Sequence, residues 1–409
     1  MKLGILGAGA EGSGLSALLR SEPGLDSIAL ADADEGRLRL AGERFAGLRS
    51  PVELTTTVVD AADPDAVAAW AADLDAVLNA TLPHLNLAVM RGCLAASSHY
   101  MDLNSGPFEV EGAIPREETI DAQFELDDDF RAAGLTAVSC AGVAPGWVDL
   151  IARRAVEELD SVRSIVVRWV DRNDGSELVS TVGPGLIANF NMPTPLRWER
   201  GEITEVDLFE SEETYDWPEL GPIPVFTGFM HPELRTMHNL GVELERVEVK
   251  SGLSNGRWRS SPQIWIEALR RRLAADEPLA ADLPSELGRA FISPERYEEA
   301  IDAGVVTEGA FAVCVEVIGR RGADEISRTD GLIVSLAEAR DHIPWGTHMV
   351  LATSGTTPVV LLPMLGRGEI STRGVVGVGA LPEWHSVLDK IEARGLRTWK
   401  RLDVRRTGS

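Results

Sequence analysis

Six residues near the start, Gly7-Ala8-Gly9-Ala10-Glu11-Gly12, carry the spacing best suited to chemistry. They follow the apolar run Leu3 to Leu6 and precede Leu15, Leu18 and Leu19, so the third glycine opens a helix. A second apolar run, residues 27–32, ends on Asp32, 20 residues after Gly12. Strand, glycine turn, helix, strand and terminal acid form the context that a dinucleotide-binding fingerprint requires. Gly7 permits the tight turn, Gly9 lets a diphosphate approach the backbone, and Gly12 lets helix and strand pack closely. The N–H groups around Ala10, Glu11 and Gly12 then hold the diphosphate, helped by the helix dipole. Asp32 is placed to accept hydrogen bonds from the adenosine ribose. It favours NAD over NADP, because a carboxylate repels a 2′-phosphate. Arg37 is the nearest cation that could accommodate NADP, but Asp34 and Glu35 lie beside it.

Further reactive types cluster where later strands should end. Asn79-Ala80-Thr81-Leu82-Pro83-His84 follows the apolar run 75–80. In an open parallel sheet, ligands lie beyond the carboxyl ends of the strands. Asn79, Thr81 and Pro83 therefore join the cofactor set, as does Asp60 in the turn after the β-branched run 52–59. Tyr100 and Asp102 are two apart on the strand 98–103 and share one sheet face. Asp102, with Tyr100 beside it, is the first choice to hold or deprotonate a substrate nitrogen, since a buried carboxylate has a raised pKa. His84 is the rival base. Gly142 and Pro145 should bring backbone to the cofactor, and Gly146, Trp147 and Arg235 should meet the substrate. Arg235 is included because a guanidinium binds carboxylate in a two-pronged way. His238 and His348 are further candidates in the second domain. No His, Asp or Glu set has metal-ligand spacing.

Strands alternate with helices through residue 146, as in a doubly wound α/β Rossmann sheet. Helices are expected over 35–47, 64–72, 85–96 and 124–133, with a polar acidic loop or lid over 107–122. Beyond Gly146 the pattern changes. After a helix over about 147–159, the run 163–170 alternates like a strand, and 176–262 holds short strand-like pieces. The run 263–274 is an amphipathic helix. Residues 309–319 and 325–335 read as an antiparallel pair turning at 320–323. The reading is a Rossmann domain over 1–146, an α+β domain over 147–349, and a C-terminal segment over 350–409.

The chain has 409 residues, 44% of them hydrophobic, enough for two sizeable cores. Its net charge of −25 repels nucleic acid and anionic membranes, so neither is an expected partner. Lysine is confined to Lys2, Lys250, Lys390 and Lys400, which speaks against a lysine base. The isolated Cys93, Cys140 and Cys314 form no disulfide framework. With no apolar run near the ~20 residues of a membrane span and an N-terminus entering a strand directly, a cytoplasmic protein is expected.

The motifs resemble the saccharopine dehydrogenase-like family, with its saccharopine reductases, lysine 6-dehydrogenases and carboxynorspermidine dehydrogenases. The resemblance rests on the first glycine motif, Asn-Ala-Thr-x-Pro at 79–83, His-Tyr-x-Asp-Leu at 99–103, and Gly-x-x-Pro-Gly at 142–146. The C-terminal stretch 366–383 and Arg394-Gly395-Leu396 resemble the lysine 6-dehydrogenase-like branch. The resemblance implies NAD-dependent hydride transfer at the CH–NH or CH–NH2 group of an amino acid or related amine. It also implies a homodimer through the second domain, and a C-terminal segment that packs back on the Rossmann domain. Two rivals stand: an NADP-using reductase that condenses an aldehyde with an amine, and a nucleotide-binding sensor without turnover.

Overall fold

The computed structural model describes residues 1–406 apart from 107–108, 110–113, 184–193, 208–209, 229–230, 238–239 and 276–282. The chain divides into two compact units, Met1–Leu150 with Thr353–Gly395, and Ile151–Ala352 with Leu396–Ser409.

In the first unit, strands β1 (Lys2–Leu6), β2 (Ser27–Asp32), β3 (Glu53–Val58), β4 (Ala76–Asn79), β5 (His99–Asp102) and β6 (Thr136–Ser139) alternate with helices. These are α1 (Ala10–Leu19), α2 (Glu35–Ala46), α3 (Pro64–Ala71), α4 (Asn86–Ala96), α5 (Ile120–Phe124) and α6 (Asp127–Ala132). A seventh strand, Gly374–Gly377, comes from the C-terminal part and pairs parallel with β6. The sheet order is Gly374–Gly377, β6, β5, β4, β1, β2, β3, parallel throughout. Apolar runs such as Leu3 to Leu6 are buried on both faces, as a parallel sheet requires. The order reverses between β1 and β4, which sets the switch point at the ends of these two strands.

Two local expectations change. The helix expected over 124–133 is two short helices, α5 and α6, and α5 takes the end of the loop expected over 107–122. Part of that loop lies outside the described residues. The apolar pattern 350–366 is broken at Gly355-Thr356 into helices His348–Ser354 and Thr357–Gly366. Taken together, the 19-residue stretch His348–Gly366 is long and apolar enough to cross a membrane, contrary to the sequence reading. However, 89% of its apolar window is buried inside the protein, as in a core helix.

The second unit is built on a nine-stranded mixed sheet. Helix α7 (Trp147–Glu157) leads into β7 (Ser161–Gly175). Then come β8 (Leu196–Glu199), β9 (Glu202–Glu205), β10 (Glu213–Trp217), β11 (Gly221–Thr227), β12 (Arg246–Ser254), β13 (Val306–Arg321) and β14 (Asp324–Ser335). β7 pairs parallel with β12 and antiparallel with β13. The hairpin β13–β14 turns at Gly322-Ala323, where Gly322 takes a left-handed φ of 62°.

The C-terminal expectation is corrected in part. Residues through Gly395 belong with the first unit, but Leu396–Ser409 belong with the second. The cause is a strand missed in the sequence, Thr398–Arg406, which pairs antiparallel with β14. Its side chains are mostly exposed, and the short alternation of Leu402 and Val404 with charged neighbours faces solvent rather than a core. Trp399 anchors it by lying across Gly331 of β14, where an added Cβ would sit 2.3 Å from the indole ring. Gly331→Ala is therefore expected to displace this strand and cost about 1–3 kcal/mol through overpacking. Hydrogen exchange should show faster exchange across residues 398–406 while β7 stays protected.

Candidate functional site

The carboxyl ends of β1, β2, β4, β5 and β6 gather most of the expected residues into one edge of the first unit. At its centre Gly7 has φ 108° and donates its N–H to the Ala31 carbonyl at 2.7 Å. A Cβ on Gly12 would stand 1.9 Å from the Gly7 carbonyl oxygen, so this glycine lets α1 rest on the turn. Gly9 is different: a Cβ there would meet nothing within 4 Å. Gly9 is also the N-cap of α1, and no side chain caps the helix. The N–H groups of the first turn, from Ala10 onward, are left without a side-chain cap, beside the room at Gly9. A diphosphate fits that combination of room and donors.

Asp32 lies at the end of β2 and is partly buried. Its Oδ2 accepts the Ala8 N–H at 2.7 Å and its Oδ1 accepts the Asp34 N–H at 2.9 Å. A carboxylate has about four acceptor positions, so capacity remains for hydroxyl groups. Asp34 caps α2 by accepting the Arg37 N–H, and that bond holds its carboxyl below the usual range. Asp60 is exposed at the end of β3 and accepts the Ala62 N–H at 2.9 Å.

Several of the expected site residues are engaged by the protein's own groups. Asn79 is buried and its amide is used up internally. Its Nδ2 donates to Asn86 Oδ1 at 2.9 Å, and its Oδ1 accepts from the Thr81 N–H and hydroxyl at 3.1 and 2.6 Å. Asn86, which the sequence reading missed, donates onward to the Asn104 carbonyl at 2.9 Å. Asn79 therefore shapes the loop that carries Thr81 and the buried Pro83. Trp147, expected to meet the substrate, is packed in the core at 2% exposure.

Asp102 and Tyr100 share a face, as their spacing predicts, but that face is inside. Both are 0% exposed, and the Tyr100 ring packs among Met90, Cys93 and Phe130. Asp102 Oδ2 accepts from Gln123 Nε2 at 2.6 Å, and Oδ1 accepts the Cys140 N–H at 2.8 Å. Burial pushes this carboxyl up to about 7, and hydrogen bonding, first from the Cys140 N–H and then from Gln123, limits the rise. Burial and then the Asp102 charge push the Tyr100 phenol well above its usual range. Cys140 has a left-handed φ of 62°, uncommon outside glycine. The Asp102 bond thus holds a strained residue at the root of the turn Cys140–Gly146. That turn closes on itself: Trp147 N–H donates to the Gly142 carbonyl at 3.0 Å, and Gly146 N–H to Asp149 Oδ2 at 2.7 Å. Gly146 has φ 121°, and a Cβ there would meet the Gly142 carbonyl at 2.3 Å. Pro145 follows a cis peptide bond and is buried.

His84 stands exposed in the short turn Pro83–Leu85. Glu11, in the first turn of α1, is met by a residue the sequence reading did not single out: Ser354 donates to its Oε2 at 2.6 Å. Burial pushes the Glu11 carboxyl up to about 8.

The remaining candidates belong to the second unit. Arg235 is partly buried on the short helix Glu233–Thr236. His348 is fully buried, with Nε2 2.8 Å from Asp171 Oδ1. His238 lies outside the described residues. Among the described residues, no three His, Cys, Asp or Glu side chains gather as metal ligands.

Residues 3–138 match the family model described as the saccharopine dehydrogenase NADP binding domain. That match lies within the first unit and takes in its strands β1 to β6. Two curated proteins similar to the chain are carboxynorspermidine synthases. That of Vibrio cholerae serotype O1 is 28% identical over 183 residues, 44% of either chain. That of Vibrio alginolyticus is 26% identical over 210 residues, 50% of either chain. The chain thus matches about half the length of these curated relatives. The structure of saccharopine dehydrogenase (L-Glu forming) from Saccharomyces cerevisiae has the same fold. The TM-score is 0.66 at 12% identity, over 98% of this chain and 99% of that one.

Proposed function

We propose that the chain is a nicotinamide-dependent oxidoreductase acting on the CH–NH or CH–NH2 group of an amino acid or related amine. One observation carries the reading: an uncapped α1 N-terminus opening beside Gly9 at the switch point of a saccharopine dehydrogenase-family domain. The nicotinamide supplies the hydride acceptor or donor. The chain's own residues do the rest. The first turn of α1 binds the diphosphate, Asp32 orients the ribose, and the turn Gly142–Gly146 presents backbone to the ring. Of the three proton-handling candidates, His84 is the exposed one and is assigned to take the amine proton. Asp102 acts from beneath, by positioning Cys140 and the turn that follows it. Gly146 and Arg235 remain the substrate-side candidates of this reading.

We further assign NAD as the preferred cofactor. Asp32 ends β2, Asp34 and Glu35 follow it at the start of α2, and Asp60 follows β3, so carboxylates predominate at the strand ends where a 2′-phosphate would add charge. The second reading, an NADP-dependent reductase that joins an aldehyde to an amine, is favoured by the relatives' synthase names and the description of the matching domain. Parallel titration with NADH and NADPH separates the two. Asp32→Ala is expected to weaken NADH at least tenfold and relax the preference; unchanged affinity for both removes the ribose assignment. A screen of basic, acidic and branched amino acids and small polyamines for NADH formation tests the activity. Tight cofactor binding with no amine-dependent turnover would instead support the sensor reading.

A further inference from the structure

We infer that the strand Thr398–Arg406 is where two copies of this chain join, paired antiparallel about a two-fold axis at Leu402. The strand ends the sheet of the second unit. β14 pairs with one of its edges, and among the described residues no strand pairs with the other. All of its nine residues except Trp399 are exposed. Leu402 and Val404 are 55% and 46% exposed. A bare edge of this length is a template for another strand unless its side chains repel the newcomer.

The backbone restricts how a second copy can fit. The Ile333 N–H donates to the Arg397 carbonyl at 3.1 Å, one step beyond the register pair Leu332–Thr398. Antiparallel pairs alternate between hydrogen-bonded and non-bonded. Trp399, Arg401, Asp403 and Arg405 therefore turn their N–H and C=O groups to β14. Thr398, Lys400, Leu402, Val404 and Arg406 turn theirs outward, and a second copy must match these five to its own five. An axis at Leu402 does so over the whole strand: Leu402 meets Leu402, Lys400 meets Val404, and Thr398 meets Arg406. An axis at Lys400 would set two lysines face to face, and either that or an axis at Val404 would cut the ladder from nine residues to five.

The side chains suit the same register. Between the bonded pairs, Arg401 of each copy lies opposite Asp403 of the other, at the non-bonded positions where side chains approach most closely. Within one copy these two already turn to the same face, with Arg401 Nε 3.6 Å from Asp403 Oδ2 and both about half exposed. Leu402 would cover Leu402, and Val404 the aliphatic stem of Lys400. The remaining cations of the strand have acids across from them on β14: Asp330 opposite Lys400, Glu325 opposite Arg405, and Asp324 opposite Arg406. Together the two strands hold five cations and four acids, near balance in a chain of net charge −25. Two such acidic molecules repel least along this border. The area is small beside the ~800 Å² per partner of a standard interface, so dissociation in the micromolar range is expected.

Sedimentation velocity of the full chain across micromolar concentrations should show a monomer–dimer equilibrium. Asp403→Arg sets arginine against Arg401 twice and should weaken it at least tenfold; adding Arg401→Asp to that variant restores opposite charges and should restore the dimer. Leu402→Cys should form an intermolecular disulfide under mild oxidation, because bonded pairs hold their Cα atoms about 5.5 Å apart, within disulfide reach. Val404→Cys, which meets Lys400, should cross-link far less. Cys93, Cys140 and Cys314 are buried and do not compete. Hydrogen exchange over 398–406 reports whether each variant keeps the strand. A chain that is monomeric throughout overturns the inference. So does a dimer that survives Asp403→Arg with the strand in place. Should Asp403→Arg lose the strand, Leu402→Cys decides, and its failure to cross-link overturns the inference as well.

Discussion

Gly12→Ala is expected to abolish cofactor binding and destabilise the first unit. The added methyl group would lie 1.9 Å from the Gly7 carbonyl oxygen, about half an ordinary contact distance. Backbone cannot rotate away as a side chain can. Either α1 lifts off the sheet or the Gly7 turn opens, and both moves displace the N–H groups meant for the diphosphate. A shift on the order of 1 Å at such a site costs about a hundredfold in function, and overpacking of this kind costs about 1–3 kcal/mol in stability. Gly9→Ala is the paired control. With nothing within 4 Å of its Cβ, it should melt as wild type. Yet its methyl group projects into the space assigned to the diphosphate, so NADH binding should still fall at least tenfold. Calorimetric melting together with cofactor titration reads both variants. A Gly9→Ala protein that binds NADH normally would move the diphosphate elsewhere.

The second large effect concerns Asp102. Replacing it with alanine leaves the Gln123 amide and the Cys140 N–H without an acceptor in a fully buried place. Each unsatisfied donor costs about 1–3 kcal/mol, so Asp102→Ala should lose about 2–5 kcal/mol. Asp102→Asn resembles the protonated side chain and should be much milder in acid. The pH dependence separates the two forms. The folded chain holds the Asp102 proton up to about pH 7, whereas an unfolded aspartate releases it near 3.8. Between those values the native state binds more protons than the unfolded chain, so wild-type stability from this group declines as pH rises. The slope is at most about 1.4 kcal/mol per pH unit, and it levels off above about 7. Asparagine has no proton to lose. Urea unfolding at pH 5, 6, 7 and 8 should therefore show the asparagine variant gaining on wild type as pH rises. An equal difference at every pH would mean that Asp102 is ionised throughout.

Much of the fold was legible because its signals are local. Strand, glycine turn, helix and terminal acid lie within Leu3 to Asp32, and each constrains its neighbours within a turn or a pleat. The two-residue spacing of Tyr100 and Asp102 correctly put them on one face. It could not say that this face is packed against Met90 and Phe130, because inward and outward faces of a doubly covered strand look alike in sequence. The same holds for Trp147, whose position after Pro145-Gly146 suggested a pocket, while helix α7 turns it into the core. Asn86 and Gln123 left no trace, since a buried amide is defined by the distant partner it meets. Ser354 left one sign: it stands at a helix break before Pro358, where Gly355 interrupts the apolar pattern. The strand Thr398–Arg406 had only the short alternation of Leu402 and Val404 with charged neighbours, and it is charged on both faces.

The order in which the first sheet is completed bears on its synthesis. β6 has β5 on one side, but its other neighbour, Gly374–Gly377, is encoded roughly 230 residues later, about 10–50 s at usual elongation rates. Until then a ribosome-bound chain presents a bare, hydrogen-bond-hungry border at Thr136 to Ser139. A nascent border of that kind invites mispairing with other polypeptides. Production of this protein should accordingly depend on chaperone supply, and chains terminated before Gly374 should be recovered mainly as aggregates.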